Sequence, residues 1–487
     1  MKQRLAQIES VIAQGPYQPT WESLSEYRVP AWYKKLKFGI FIHWGVYSVP
    51  AFANEWYPRN MYIQGSREYE HHLKTYGKHT EFGYKDFIPM FKAEKFNPEA
   101  WAELFEKAGA KYVVPVAEHH DGFQMYRSDI SRWNAYEMGP KRDTLGELSE
   151  SCAKRGIAMG ASSHRVEHWF FMSHGKDFES DIREPLERGD LYWPSMPDGD
   201  FQDIFSQPEP SEEYLNDWLV RTCEIIDRYN PKILYFDWWI HHNAVKPYLK
   251  KLAAYYYNRA AQRGEEVVIN YKHDAFFFGS AVPDVERGQF ADMKPYYWQT
   301  DTAVALNSWC YTEGNEYRPA ADLVRDLVDI VSKNGCLLLN IGPKADGTIP
   351  DEDAAILTAI GDWLRVNGEA IYGTRTWRKF GEGPTQIVEG QFADGIKKNF
   401  TSKDIRFTTR GEFLYATALK GSDDGEYCIV SLGEQDASKQ ANFHGIIRNV
   451  EILGCSEASE WHRDAEGLHV RTSLRTEMPV VMKITVD

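Results

Sequence analysis

The 487-residue chain has no continuous apolar run of about 18 residues, the length a helix needs to cross a bilayer, so no membrane span is expected. Its opening, MKQRLAQIESVIAQGPYQPTW, lacks the apolar core and small-residue cleavage site of a secretory signal, and a cytoplasmic location is the expectation. Cysteine is scarce. The six, at 152, 223, 310, 336, 428 and 455, form no CxxC and mostly sit in apolar stretches. They read as buried reduced thiols rather than as a disulfide framework or a zinc site. Positive charge is in deficit, with 56 Lys+Arg against 71 Asp+Glu and a net charge of −15. Such a chain repels phosphate, which excludes nucleic acid and anionic membranes as expected partners. No strand-like run leads into GxGxxG or GxxxxGK[ST], so nothing marks a nucleotide-phosphate cradle. Internal repeats and low-complexity linkers are absent too. Composition leaves a homo-oligomer open.

Aromatic residues are abundant: 16 Trp, 28 Tyr and 25 Phe make up 14% of the chain. Flat aromatic faces bind the apolar faces of sugars, but they also fill large cores, and composition alone does not choose between the two. The patterning is clearer. Asn97 and Pro98 open a helix in which Trp101, Leu104, Phe105 and Ala108 share a face before Gly109 stops it. The apolar run 111–117 follows. Helices near 143–156, 213–229, 244–263 and 320–333 are likewise each followed by an apolar run, at 157–164, 232–237, 266–270 and 336–341. A further helix spans 352–366, and FGIFIH (38–43) precedes them all. Continuous apolar strands are buried on both faces, as in parallel sheets. Their alternation with helices over about 330 residues predicts an α/β fold of the (β/α)8-like, TIM-type barrel kind, with a large open sheet as the alternative. Beyond Trp377 the texture changes to short β-rich runs at 404–409, 412–419, 426–432 and 480–486, separated by Gly- and Asp-rich turns. This predicts a catalytic barrel over 1–377 and a C-terminal all-β sandwich over 378–487, with a boundary blurred between 374 and 400.

Catalytic groups of a barrel sit at the C-terminal ends of its strands. Read in order, those ends carry His43-Trp44-Gly45, Glu118-His119-His120-Asp121, His164, Asp237-Trp238-Trp239, Tyr271-Lys272-His273, Glu286, and Trp298 with Asp301. A single polar residue there is ordinarily a helix cap, whereas a converging set makes a site. Metal hydrolysis fits poorly. Barrel metallohydrolases show HxH on an early strand, where this chain has His43-Trp44-Gly45, and adjacent His119 and His120 diverge from an extended backbone. Nucleotide chemistry has no motif. Glycoside hydrolysis needs two carboxyls and hydrogen-bonding groups beside stacking aromatics, and the residue types fit it.

The blocks KFGIFIHWGVYSVPAFANEWYPRNMY (37–62), AGAKYVVPVAEHHDGFQMYRSDISRWNAYEMGPKRDTLGEL (108–148), ILYFDWW (233–239), WQTDT (298–302), SKNGCLLLNIGPKADGTIP (332–350) and NGEAIYGTRTW (367–377) resemble the α-L-fucosidases of glycoside hydrolase family 29. The likeness runs from about residue 30 to 377, and weakly beyond. It implies a (β/α)8-like barrel with a C-terminal β-sandwich, release of terminal fucose from glycans with retention, and no metal or other cofactor. The expected partner is a small-molecule or oligosaccharide substrate bearing terminal fucose.

By position, the resemblance makes Asp237 the nucleophile and assigns His43, Glu55, Trp56, His119 and His120 to the fucose hydroxyls. Trp44, Trp238 and Trp298 join them as aromatic candidates. Glu286 is the expected acid/base, with Glu55, Glu167 and Asp284 as rivals. Its neighbour Arg287 points to the opposite face in extended chain, which disfavours a simple local ion pair. The chain departs from the family where many members have Tyr-Tyr-Ser, here Ser162-Ser163-His164, so His164 takes the place of a tyrosine contact. It departs again at Asn270-Tyr271-Lys272, where many have Asn-Asp-Arg, leaving Lys272 in the arginine's place. The acidic, Pro-containing stretch 170–215 reads as a lid or subsite wall, or else as a solvated loop. A retaining glycosidase for another sugar and a catalytically inactive carbohydrate-binding barrel are the alternative functions.

Overall fold

A computed structural model describes residues 1–200 and 203–487. Eight strands, β1 (Phe38–Ile42), β2 (Tyr112–Glu118), β3 (Ala158–Ser163), β4 (Ile233–Phe236), β5 (Val268–Lys272), β6 (Val282–Glu286), β7 (Trp298–Ala303) and β8 (Gly335–Ile341), pair in sequence order. Every pairing is parallel, and β8 returns to β1 with Phe38 opposite Leu337, closing the barrel. Nearly all of their residues are buried, which is why β1, β2, β4, β5 and β8 read as apolar runs rather than alternating ones. Strands β6 and β7, VPDVE and WQTDTA, are buried too but carry polar residues, and no run marked them in the sequence. Gly39 is demanded by the interior: a Cβ there would lie 2.5 Å from the Tyr112 ring. Tyr33, Tyr112 and Asn270 gather around Gln299 to plug the lower barrel with satisfied hydrogen bonds.

The helices between strands follow their punctuation. Asn97 accepts from Ala100 N at 3.1 Å to cap Pro98–Lys107, Asp143 caps Thr144–Lys154, and Ser211 caps Glu212–Tyr229. The alternation lapses in one place. Residues 273–281 and 287–297, which link β5 to β6 and β6 to β7, carry no helix. The flank of the barrel beside β6 is covered instead by chain from the C-terminal region.

That region forms two antiparallel sheets. Strands β9 (Arg375–Glu382), β10 (Ile405–Arg410), β11 (Phe413–Ala418), β12 (Glu426–Ile429), β13 (Ile447–Ile452), β14 (Glu460–Arg463), β15 (Leu468–Arg471) and β16 (Val480–Val486) assemble in the orders β13-β16-β11-β10-β9 and β12-β15-β14. The expected boundary at 377/378 falls inside β9, whose Trp377 packs on Phe407 of β10 with ring centroids 4.9 Å apart, so the sandwich begins by Arg375. Barrel and sandwich are locked by Asp329, which binds Arg406 at 2.5 Å and Lys333 at 2.7 Å, and by Trp363, whose indole donates to Pro479 O at 2.9 Å. No helix among the described residues is long and apolar enough to cross a membrane.

Candidate active site

The C-terminal ends of the strands surround a cavity of about 470 Å³. Of the expected residues, His43, Glu55, Trp56, His119, His120, His164, Asp237, Trp238 and Glu286 line it. Three do not. Trp44 follows inward-facing His43 and turns out of the barrel, as alternation along an extended chain requires. It packs among Phe91, Phe96 and Trp101 at 5.0–5.2 Å and donates to Lys344 O. Trp298 is the first residue of β7, not its end, and lies at the opposite mouth of the barrel. Fully buried, it packs on Phe290 and donates to Lys333 O. Lys272 lies beneath the cavity floor, held by Asp284 and Asp301 at 2.7 Å each and 3.5 Å from Glu286 Oε2.

Asp237, just past β4, is gripped by two imidazoles. His164 Nδ1 is 2.9 Å from its Oδ2 and His120 Nε2 is 3.4 Å away. Burial by itself would raise this carboxyl. The hydrogen bonds and charges of His120 and His164 outweigh burial and hold it well below the ordinary carboxylate range. Burial likewise opposes charge on His120, but Glu167, 3.3 Å away, and Asp237 carry the imidazolium up to about 9. His120 is oriented by its other nitrogen, 2.8 Å from His164 O, and His164 by Ser162 Oγ at 3.0 Å.

Glu286 ends β6. Burial, with the charges of Asp301 and Asp237 adding to it, raises its carboxyl to about 7 against the downward pull of Lys272. The Trp238 indole donates to its Oε2. Arg287 turns away at φ 42°, pairs with Asp394 and lies 4.4 Å over the Trp309 ring, so the local ion pair with Glu286 does not form. Among the rivals, Glu167 stands behind His120 and Asp284 beside Lys272, both off the cavity wall. Glu55 lines the cavity, but its Oε2 accepts Trp309 N at 3.1 Å.

The remaining wall holds His43, whose Nδ1 meets Asn340 Oδ1 at 2.7 Å, and His119, whose Nδ1 is buried without a hydrogen-bond partner. Burial drives both imidazoles well below their usual pKa, so both are neutral at pH 7. His43, His119 and His164 bring ring nitrogens close enough to share an ion, as do His120, His164 and Asp237. The nitrogens already committed to Asn340, Ser162 and Asp237 make this a hydrogen-bonding surface. Trp239 and Asp301, read among the strand ends, line it too, and six lining residues had not been singled out: Phe41, Asn54, Asn60, Tyr235, Trp309 and Phe392. Phe41 and Tyr235 were within reach of sequence, since each sits two residues before an inward-facing His43 or Asp237. The stretch 170–215 supplies none of the described lining residues. Phe171 instead backs Trp56 and His120 at 5.5 and 5.2 Å, and Phe201 and Gln202 of that stretch lie outside the described residues.

A parallel barrel with a sugar-sized pocket of paired carboxyls, imidazoles and indoles at its C-terminal mouth defines a glycoside hydrolase. The α-L-fucosidase family model matches residues 4–369, and the chain belongs to that family. It is 32% identical over 464 residues to the plasma α-L-fucosidase of Pongo abelii, covering 91% of this chain and 86% of the relative. The α-L-fucosidase of Dictyostelium discoideum is 32% identical over 391 residues, covering 76% and 77%. The crystal structure of Thermotoga maritima α-fucosidase with a mechanism-based inhibitor superposes at a TM-score of 0.75 with 31% identity, covering 96% of this chain and all of that one.

Proposed function

We propose that this protein is a retaining, exo-acting α-L-fucosidase that removes terminal α-L-fucosyl residues from fucosylated glycans by double displacement. Asp237 attacks the anomeric carbon while protonated Glu286 donates to the leaving oxygen, and a fucosyl ester forms. Glu286 then takes a proton from the water that opens the ester. One observation carries the assignment: two carboxyls face one cavity with their affinities for protons driven apart, Asp237 low and Glu286 at about 7. An inactive carbohydrate-binding barrel would not need that separation. His43 and His119, both lining the cavity, offer the ring nitrogens that fucose hydroxyls complete. Phe41, Trp56 and Trp309 supply apolar wall for a sugar that carries a methyl where galactose carries a hydroxymethyl. The Thermotoga maritima relative, 31% identical, binds fucose. Six unpaired cysteines, four of them buried, support a reducing, cytoplasmic setting.

The test is hydrolysis of a nitrophenyl α-L-fucoside, with the anomer of the released sugar followed by NMR. The expected first product is α-fucose. Asp237→Ala is expected to lose activity and to regain it with azide, yielding β-fucosyl azide. Activity should fall on the alkaline side around pH 7 as Glu286 loses its proton. Release of β-fucose would overturn retention, and full activity in Asp237→Ala would overturn the nucleophile.

A further inference from the structure

The sequence left the sandwich without a role, and one loop of it reaches the reacting groups. The connection from β9 to β10 leaves the sandwich and lies along the barrel where the helices beside β6 are missing. Gly390 N donates to Gln289 O at 3.2 Å, Phe392 N to Glu286 O at 2.9 Å, and Asp394 N to Arg287 O at 2.9 Å. The approach is so close that a Cβ on Gly288 would lie 1.8 Å from Gly390 O. Asp394 anchors the far end, its Oδ2 accepting from Thr302 Oγ1 at 2.5 Å and from Arg287 at 3.3 Å. Between these anchors Phe392 is held at φ 56°, a conformation that a bulky residue adopts only where its surroundings impose it. The held side chain is not packed into a core. It is 53% exposed at the cavity wall, with its ring centroid 5.5 Å from that of Trp238 and the planes inclined by 32°.

We propose that Trp238 and Phe392 form the leaving-group subsite, a two-ring platform for the C–H face of the pyranose to which fucose is attached. The proposal rests on the fucosidase reading, in which Glu286 protonates the departing oxygen. The leaving sugar must then lie against whatever flanks Glu286 on the solvent side, and Trp238 and Phe392 both touch that residue, one through its indole N–H and the other through its backbone. Strain spent on exposing an apolar ring to water is explained if a sugar covers it. The sandwich therefore acts as a specificity module, presenting through one clamped loop a residue that the barrel sequence does not encode. Trp238 serves twice, since the same side chain stacks on the leaving sugar and orients the acid.

The test compares two substrates with one fucosyl group. α-L-Fucosyl fluoride has no ring in the leaving position, while the most rapidly cleaved of the fucosyl-(1→2)-, (1→3)-, (1→4)- and (1→6)-hexose disaccharides has one. Stacking of this kind predicts that Phe392→Ala lowers the ratio of kcat/KM for disaccharide over fluoride by about 5- to 10-fold, mostly through KM. Phe392→Leu, which keeps bulk without a π face, should fall between, and Phe392→Tyr should hold the ratio. A ratio unchanged in Phe392→Ala, with the protein folded by circular dichroism, would overturn the platform and leave the fucosidase reading intact. Failure of the unaltered enzyme to cleave either substrate would overturn the fucosidase reading and the platform with it.

Discussion

Lys272 makes the sharpest demand on the proposed chemistry, because it touches no substrate and yet sets the pH at which the acid works. It is fully buried, and burial alone would strip its proton. Asp284 and Asp301, each 2.7 Å away, reverse that and hold it charged. The same ammonium stands 3.5 Å from Glu286 and pulls its carboxyl down from where burial would leave it. At that distance and an effective dielectric of about 20, the attraction is worth about 4.7 kcal/mol, or about 3.5 pKa units as an upper limit. Lys272→Met does not realise all of it. Asp284, already raised well above the ordinary range by burial and by Asp301, takes up a proton once the lysine is gone, and that proton restores part of the positive charge. A rise of about one unit in Glu286 is therefore expected, moving the alkaline limb of kcat/KM from about pH 7 to about pH 8. The variant also loses about 3–5 kcal/mol of stability, the ordinary result of stranding half of a buried ion pair. Lys272→Arg keeps the charge and should restore both the limb and the stability to urea. The assay is a pH–rate profile on an aryl fucoside for the three proteins, with urea unfolding alongside. A folded Lys272→Met whose alkaline limb stays at that of the unaltered enzyme would refute either the acid role of Glu286 or the coupling between the two.

Two further substitutions probe other parts of the site. His164→Phe removes the 2.9 Å contact with Asp237, and a lost charged hydrogen bond of about 1.5–3 kcal/mol raises the nucleophile by about 1–2 units. Because Asp237 must be ionised to attack, the acid limb moves to higher pH while the alkaline limb stays, and an acid limb that does not move would refute the role of His164 in holding the anion. Trp44→Ala empties a cluster of four aromatic rings away from the cavity. It should cost about 3–5 kcal/mol in urea unfolding without raising KM for an aryl fucoside, and a raised KM at unchanged stability would return Trp44 to the binding surface.

The Asp237 environment shows why position along the chain matters more than residue type. His120 and His164 come from the ends of neighbouring strands, β2 and β3, and converge on a carboxylate at the end of β4. Parallel strands in register lift their last residues to one level, so three separate runs of sequence build a single anion holder without any local motif. Glu167, one short turn after His164, closes the set by supporting the far side of His120. The same logic places His164 and Lys272: one hydrogen-bonds Asp237 from the end of β3, and the other, ending β5, pairs with Asp284 and Asp301 beneath Glu286.

Six strands of the barrel were legible because burial on both faces writes itself as unbroken apolar runs, and His43 and Asp237 were legible because a polar residue closing such a run has only the mouth to occupy; β6 (VPDVE) and β7 (WQTDTA) carry polar residues along a buried strand and gave no such run, so Glu286 was reached through the family resemblance. Trp44 and Trp298 were misread for the complementary reason: tryptophan attracts attention by type, while the pleat and the strand direction decide where it points. One residue past His43 is outside the barrel, and the first residue of β7 is at the wrong end of it. Strand β9 was invisible because RTWRKFGE mixes charge with aromatics along a sheet edge, and β13, β14 and β15 because their outward faces dilute short apolar alternations. Trp309 and Phe392 had no signal at all, for neither lies on a strand, and each reaches the cavity only through contacts with residues far away in sequence, Glu55 for the first and Glu286 for the second. What sequence reads well is therefore the part of the site that binds and attacks fucose, built on strands whose periodicity is local. What it misses is the loop-built wall, Trp309 on the fucose side and Phe392 on the leaving-group side, whose positions only the closed barrel and the docked sandwich define.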